Sequence, residues 1–87
     1  LPRATISYWR TKSGEEVDFV VEIDGKVVAC EVKWTERPDD RDFAGLAAFR
    51  KQEKCDAAIL ACRVARDQKF GAGVAMPWMR LLQALGA

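Results

Sequence analysis

The stretch that decides the fold is Val17-Asp18-Phe19-Val20-Val21-Glu22-Ile23-Asp24-Gly25-Lys26-Val27-Val28-Ala29-Cys30-Glu31-Val32-Lys33. Asp24-Gly25 between two apolar runs is the strongest short-range signal for a β-hairpin with a type I′ turn. With Ile23 paired to Lys26, the rest of the register follows. Val21 meets Val28, Phe19 meets Cys30 and Val17 meets Val32, giving one continuous apolar face. The other face sets Asp18 opposite Glu31 and Glu16 opposite Lys33, because side chains alternate with period two. Only an odd loop length or a bulge breaks this assignment.

Directly opposed side chains have Cβ atoms about 4.5–5.5 Å apart, and like charges there are destabilising. Three agents can neutralise Asp18 against Glu31. A divalent cation takes hard oxygen ligands from carboxylates and carbonyls. A shared proton raises one of the two pKa values. The ammonium of Lys33 lies on the same face, two residues from Glu31. The bland alternative leaves both carboxylates solvated on an exposed sheet face.

Working outward, Ile6 to Lys12 reads as a strand turning at Ser13-Gly14. A three-residue turn brings Arg10 beside Asp18 and leaves Trp9 facing the core with Phe19. A two-residue turn brings Trp9 beside Asp18 instead. The first is the expectation, with Arg10 either a phosphate contact or an ion pair to Asp18. Downstream, Asp39-Asp40 are helix N-cap candidates for a helix from about Arg41 to Lys54, with Asp42 in its first turn. Phe43, Leu46, Ala47 and Phe49 form its buried arc. Arg50 falls inside that arc and either snorkels or reaches the carboxylate face.

Ala57 to Cys62 is a continuous apolar run, as in a central strand covered on both sides. Reaching it through a helix makes a parallel crossover, so the sheet is mixed. Arg63 to Gly71 reads as a basic loop. Gly73 to Met76 adds a short strand. Pro77 opens a final helix to about Leu85, with Trp78, Leu81, Leu82 and Leu85 on one side.

Composition narrows the class. Eighty-seven residues make one small domain, and 49% hydrophobic content includes much alanine. A net charge of +1 exerts no global pull on nucleic acid, so attraction must come from local patches. Histidine is absent and the three cysteines form no Cys-x-x-Cys pair, which argues against structural zinc and histidine triads. Cys30 and Cys62 read as small buried hydrophobes and Cys55 as exposed, fitting a reducing, cytoplasmic setting. No stretch approaches the roughly 20 apolar residues of a membrane span.

Asp18 followed by Glu31-Val32-Lys33 on the next strand resembles the Asp…Glu-x-Lys core of the PD-(D/E)XK nuclease superfamily. The lead-in Tyr8-Trp9-Arg10-Thr11-Lys12-Ser13-Gly14-Glu15-Glu16-Val17-Asp18-Phe19-Val20 looks more specifically like one branch. That branch is the C-terminal domain of unknown function of bacterial and archaeal AAA-type ATPases. The resemblance runs from about Ile6 to Trp78.

It implies an α/β fold with a restriction-endonuclease-like mixed sheet, ordered β-β-β-α-β-(β)-α. The whole chain, 1–87, would be one nuclease-like domain and a C-terminal fragment of a longer ATPase. It further implies metal-dependent phosphodiester hydrolysis, with Asp18, Glu31 and Lys33 catalytic. Asp18, Glu31 and the Val32 carbonyl would hold Mg²⁺ or Mn²⁺. Lys33 would orient the attacking water and offset charge on the phosphate. Nucleic acid would meet Arg10, Lys12, Arg63, Arg66 and Lys69. Two departures stand out: Val17 replaces the proline before Asp18, and the glutamate from a helix before the hairpin is missing. With that first helix lacking, apolar surface on the second sheet face is expected, and a homodimer is one way to cover it. The competing function classes are a catalytically silent DNA-binding module and a protein-interaction domain whose charged face is merely solvated.

Overall fold

The computed structural model describes residues 4–84. Strand β1 (Ala4–Arg10) leads through a turn into β2 (Glu16–Ile23), which pairs antiparallel with β3 (Lys26–Val32). A 3₁₀ turn (Asp40–Phe43) and helix α1 (Ala44–Gln52) then cross to β4 (Ala57–Cys62), parallel to β3. Two short strands, β5 (Gln68–Lys69) and β6 (Val74–Pro77), precede helix α2 (Trp78–Ala84). The mixed sheet has six strands in the order β1-β2-β3-β4-β6-β5.

The hairpin register matches the sequence expectation from Ile23↔Lys26 to Phe19↔Cys30. Asp24 and Gly25 adopt φ of 53° and 77°, the left-handed pair that a type I′ turn needs. Beyond Phe19 the ladder departs from the simple alternation. Ser7 pairs with Val20, but Trp9 pairs with Val17, so β2 carries one extra residue across from Tyr8. This bulge turns Val17 away from Val32 and onto the α1 side of the sheet, beside Val20.

Several expectations are corrected by that insertion and by the turn, which closes on Thr11 and Glu15 through the Thr11 N–H and the Glu15 carbonyl. Arg10 lies opposite Glu16, not Asp18, and their side chains pair at 3.6 Å. Glu16 is therefore not the partner of Lys33. Trp9 does face the core, but it stacks edge-on against Phe49 at 5.3 Å. Phe19 points to the other face and stays 43% exposed.

The 3₁₀ turn and helix α1 cover the first face through Phe43, Leu46 and Phe49, against Val20, Ala29, Ala58, Leu60 and Cys62. Asp39 caps the 3₁₀ turn in a capping box with Asp42. The expected single helix from Arg41 thus begins as 3₁₀ and ends at Gln52. Arg50 donates to the Ala72 carbonyl at 2.8 Å and does not reach the carboxylates. The second face holds a smaller cluster of Cys30, Ala61 and Leu81 beneath α2.

Past α2 the described residues leave that second face uncovered. A groove of about 400 Å³ lies among Ile6, Phe19, Val21, Trp34, Trp78 and Leu82. Trp78, expected in the core, stands partly exposed and edge-on to Trp34 at 5.9 Å. The basic loop after β4 contains β5, and Pro77 ends β6 instead of opening the helix. Leu85 lies outside the described residues. Cys30, Cys55 and Cys62 are all free thiols, with Cys55 half-buried. Among the described residues no helix is long and apolar enough to cross a membrane.

Leu46 is fully buried at the centre of the α1 contact. Leu46→Ala should lower unfolding free energy by about 2–5 kcal/mol, read from the midpoint of urea denaturation.

Candidate functional site

Where β2 parts from β3, the Val32 N–H is taken up by a side chain instead. It donates to Asp18 Oδ2 at 2.9 Å. This bond ties the Asp18 carboxylate to the strand carrying Glu31. Both acids face α1, because Val20 and Ala29, two residues further along the same face, lie in the α1 core. They line an open cleft of about 400 Å³ together with Glu16, Val32, Lys33 and Gly45.

Glu31 is the unusual member. It is 7% exposed, the one buried charged residue among the described residues. That burial rules out two carboxylates merely solvated on an open face. Desolvation is the main force on it and pushes its pKa up to about 7, with Lys33 opposing and Asp18 and Glu16 adding to the rise. Lys33 Nζ sits 3.7 Å from Glu31 Oε2 and 4.0 Å from Asp42 Oδ1. The Lys33 backbone N–H is held by the Ala61 carbonyl at 2.9 Å, which pins the strand end to β4.

Two contributors escaped the reading of the sequence. Gly45, in the first turn of α1, packs directly on the site. A Cβ built there would collide with the Glu16 carbonyl oxygen and approach Glu31 Oε1 to 2.9 Å. The signal was a glycine inside a helical pattern, which usually marks a packing need. Asp42 was read only as a first-turn acid, yet it reaches Lys33. The turn from Thr11 to Glu15 forms the rim of the cleft. Thr11 and Ser13 hydroxyls donate to Glu15 Oε1 at 2.5 and 2.7 Å, holding that carboxyl below its ordinary range.

The five basic residues expected to meet nucleic acid do not form one patch. Arg10 is paired to Glu16, and Lys12 is exposed in the rim turn. Arg63 follows β4, its N–H on the Thr35 carbonyl and its guanidinium 3.7 Å from Glu36. Arg66 is exposed in the next loop. Lys69 lies on β5, at the opposite sheet edge from β1. Five strand spacings, roughly 24 Å, separate those edges.

A family profile described as a domain of unknown function (DUF4143) matches residues 2–81. The chain belongs to that family. No curated protein and no solved structure matches it. In this DUF4143 domain the side-chain donors that line the cleft are hard oxygens, with Asp18 and Glu31 at its floor and Glu15 and Glu16 engaged by the rim turn and by Arg10. Such a set suits Mg²⁺ or Mn²⁺, which bind through one or two carboxylates and retain several waters. Among the described residues no group of three His, Cys, Asp or Glu side chains is placed to hold a metal ion.

Two outcomes follow for the metal-free domain. Between pH 4.5 and about 7 the folded state binds more protons at Glu31 than the unfolded chain does. Stability should therefore fall as pH rises through that window and level off above it, by at most about 3 kcal/mol. Glu31→Gln should flatten this slope and exceed the wild type in urea midpoint at about pH 8. Gly45→Ala gains about 1 kcal/mol of helix propensity. Overpacking against a backbone oxygen costs about 1–3 kcal/mol. A net lowering of the thermal midpoint is expected.

Proposed function

We propose that this domain is a PD-(D/E)XK nuclease-like module that binds a divalent cation and hydrolyses phosphodiester bonds in nucleic acid. The observation that carries the reading is the buried Glu31, whose carboxyl is pushed up to about 7 beside Asp18 in a cleft open to solvent. A buried acid with so little compensation is a group that gains from added positive charge. In this reading the domain is the C-terminal part of a cytoplasmic AAA-type ATPase.

Asp18 and Glu31 would hold the cation, with the Val32 carbonyl as a candidate third protein ligand. A bound Mg²⁺ or Mn²⁺ supplies Lewis-acid charge and a more acidic water. Asp18 is oriented for the task by its bond from Val32 N–H. Lys33 places its ammonium against the phosphate and offsets the charge that builds there in the transition state. Lys12 and Arg10, beside the rim, meet the sugar-phosphate backbone.

One observation favours a second reading, a catalytically silent nuclease-fold module. No third acidic side chain joins the pair among the described residues, and Glu16, the nearest, is engaged by Arg10.

Calorimetric titration with Mg²⁺ and Mn²⁺ at about pH 8, where Glu31 is ionised, decides the first question. Binding should be seen at millimolar cation or below and be lost in Glu31→Gln. Silence at millimolar cation retires the nuclease reading. Cation-dependent cleavage of plasmid or oligonucleotide, reduced by about 10²–10³-fold in Lys33→Met with cation binding retained, separates the active from the silent module.

A further inference from the structure

Lys33 faces two carboxylates from two different elements. Glu31 Oε2 is at 3.7 Å on its own strand, and Asp42 Oδ1 is at 4.0 Å on the 3₁₀ turn before α1. The two acids are not equivalent. Glu31 belongs to the proposed cation site, whereas Asp42 is built into the helix start. Asp42 Oδ2 accepts the Asp39 N–H at 2.9 Å, and the Asp42 N–H donates to the Asp39 carbonyl at 3.0 Å. This capping box holds one carboxylate oxygen and leaves the other aimed at Lys33.

Lys33 Nζ lies 3.7 Å from Glu31 Oε2, so a divalent cation on the Glu31 carboxylate would meet the ammonium at close range. Two positive centres within a few ångströms repel strongly in a half-buried cleft. A bound cation would therefore weaken the hold of Glu31 on Lys33. Among the described residues Asp42 is the other carboxylate within 4.0 Å of it. Its anchored geometry makes it a fixed receiving point, unlike a free surface acid that must be ordered first.

We propose that Asp42 is a positioning residue, which draws Lys33 off Glu31 as the cation binds and holds the ammonium at the mouth of the cleft. The inference rests on the cation-site reading above. Asp42 touches neither the cation nor the substrate. It acts through Lys33 alone.

The test is a double-mutant cycle on Mn²⁺ affinity, with free Mn²⁺ counted by its paramagnetic resonance signal. The variants are D42N, K33M and the combination, in the whole chain. Asn keeps an acceptor for the Asp39 N–H, so D42N removes charge while keeping the cap. D42N should weaken Mn²⁺ binding about five- to tenfold, because Lys33 then stays on Glu31. K33M should tighten it. In the K33M background D42N should change affinity by less than about twofold. D42E, which restores the carboxylate, should return affinity to within about threefold of wild type. Equal weakening by D42N in both backgrounds overturns the proposal, since Asp42 would then act as a distant charge or a structural cap. No effect of D42N on the wild-type background overturns it as well. If D42N fails to fold, D42S, whose hydroxyl also accepts the Asp39 N–H, takes its place in the cycle with the same expected and overturning results. Absence of Mn²⁺ binding by the wild type overturns this proposal and the cation-site reading together.

Discussion

A single carboxyl, that of Glu31, sets the terms for this end of the molecule. It is buried between the sheet and the start of α1, where an uncompensated charge costs several kcal/mol. The neighbouring parts reduce that cost or exploit it. Lys33 stands within 3.7 Å, and its strand is pinned to β4 by a backbone bond. Gly45 lets the helix close over the site with no Cβ in the way. Asp18 adds a second negative charge that raises Glu31 further, while its own carboxylate takes up the Val32 N–H.

The second face of the sheet shows a different balance. The 3₁₀ turn and helix α1 cover the first face with three large side chains, Phe43, Leu46 and Phe49. Among its described side chains helix α2 buries Leu81 against Cys30 and Ala61, while Phe19 and Trp34 stay in contact with water. Cys30 sits under this thinner layer, and burial, with Cys55 as a minor contributor, pushes its thiol up to about 11. At that value the thiol is neutral and inert near neutral pH.

Much of the hairpin and the crossover could be read before any coordinates. Asp24-Gly25 determines turn type, and turn type determines register, so Phe19↔Cys30 follows by counting. Ala57 to Cys62 is recognisable because a strand with both faces covered needs no polar alternation. The pairing of β1 was misplaced because Lys12-Ser13-Gly14 serves as a three-residue turn as well as Ser13-Gly14-Glu15 does, and because an inserted residue leaves no trace in local alternation. Val17 is apolar and fits either face, so the chain reads equally well with or without the bulge. Strand β5 escaped because two residues, Gln68 and Lys69, carry no periodicity. The site's third dimension was illegible for a different reason. Gly45 and Asp42 approach Glu31 and Lys33 only through the packing of α1, which no spacing along the chain encodes.

The bulge in β2 gives the two ends of the strand different neighbours. Val20 to Ile23 pair with β1 on one side and with β3 on the other, whereas Glu16 and Val17 pair with β1 alone. Asp18 sits at that division, where its side chain stands in for the backbone partner that Val32 lacks on β2. The acid is thereby spliced into the ladder: removing its carboxylate opens the seam between two strands as well as emptying the cleft.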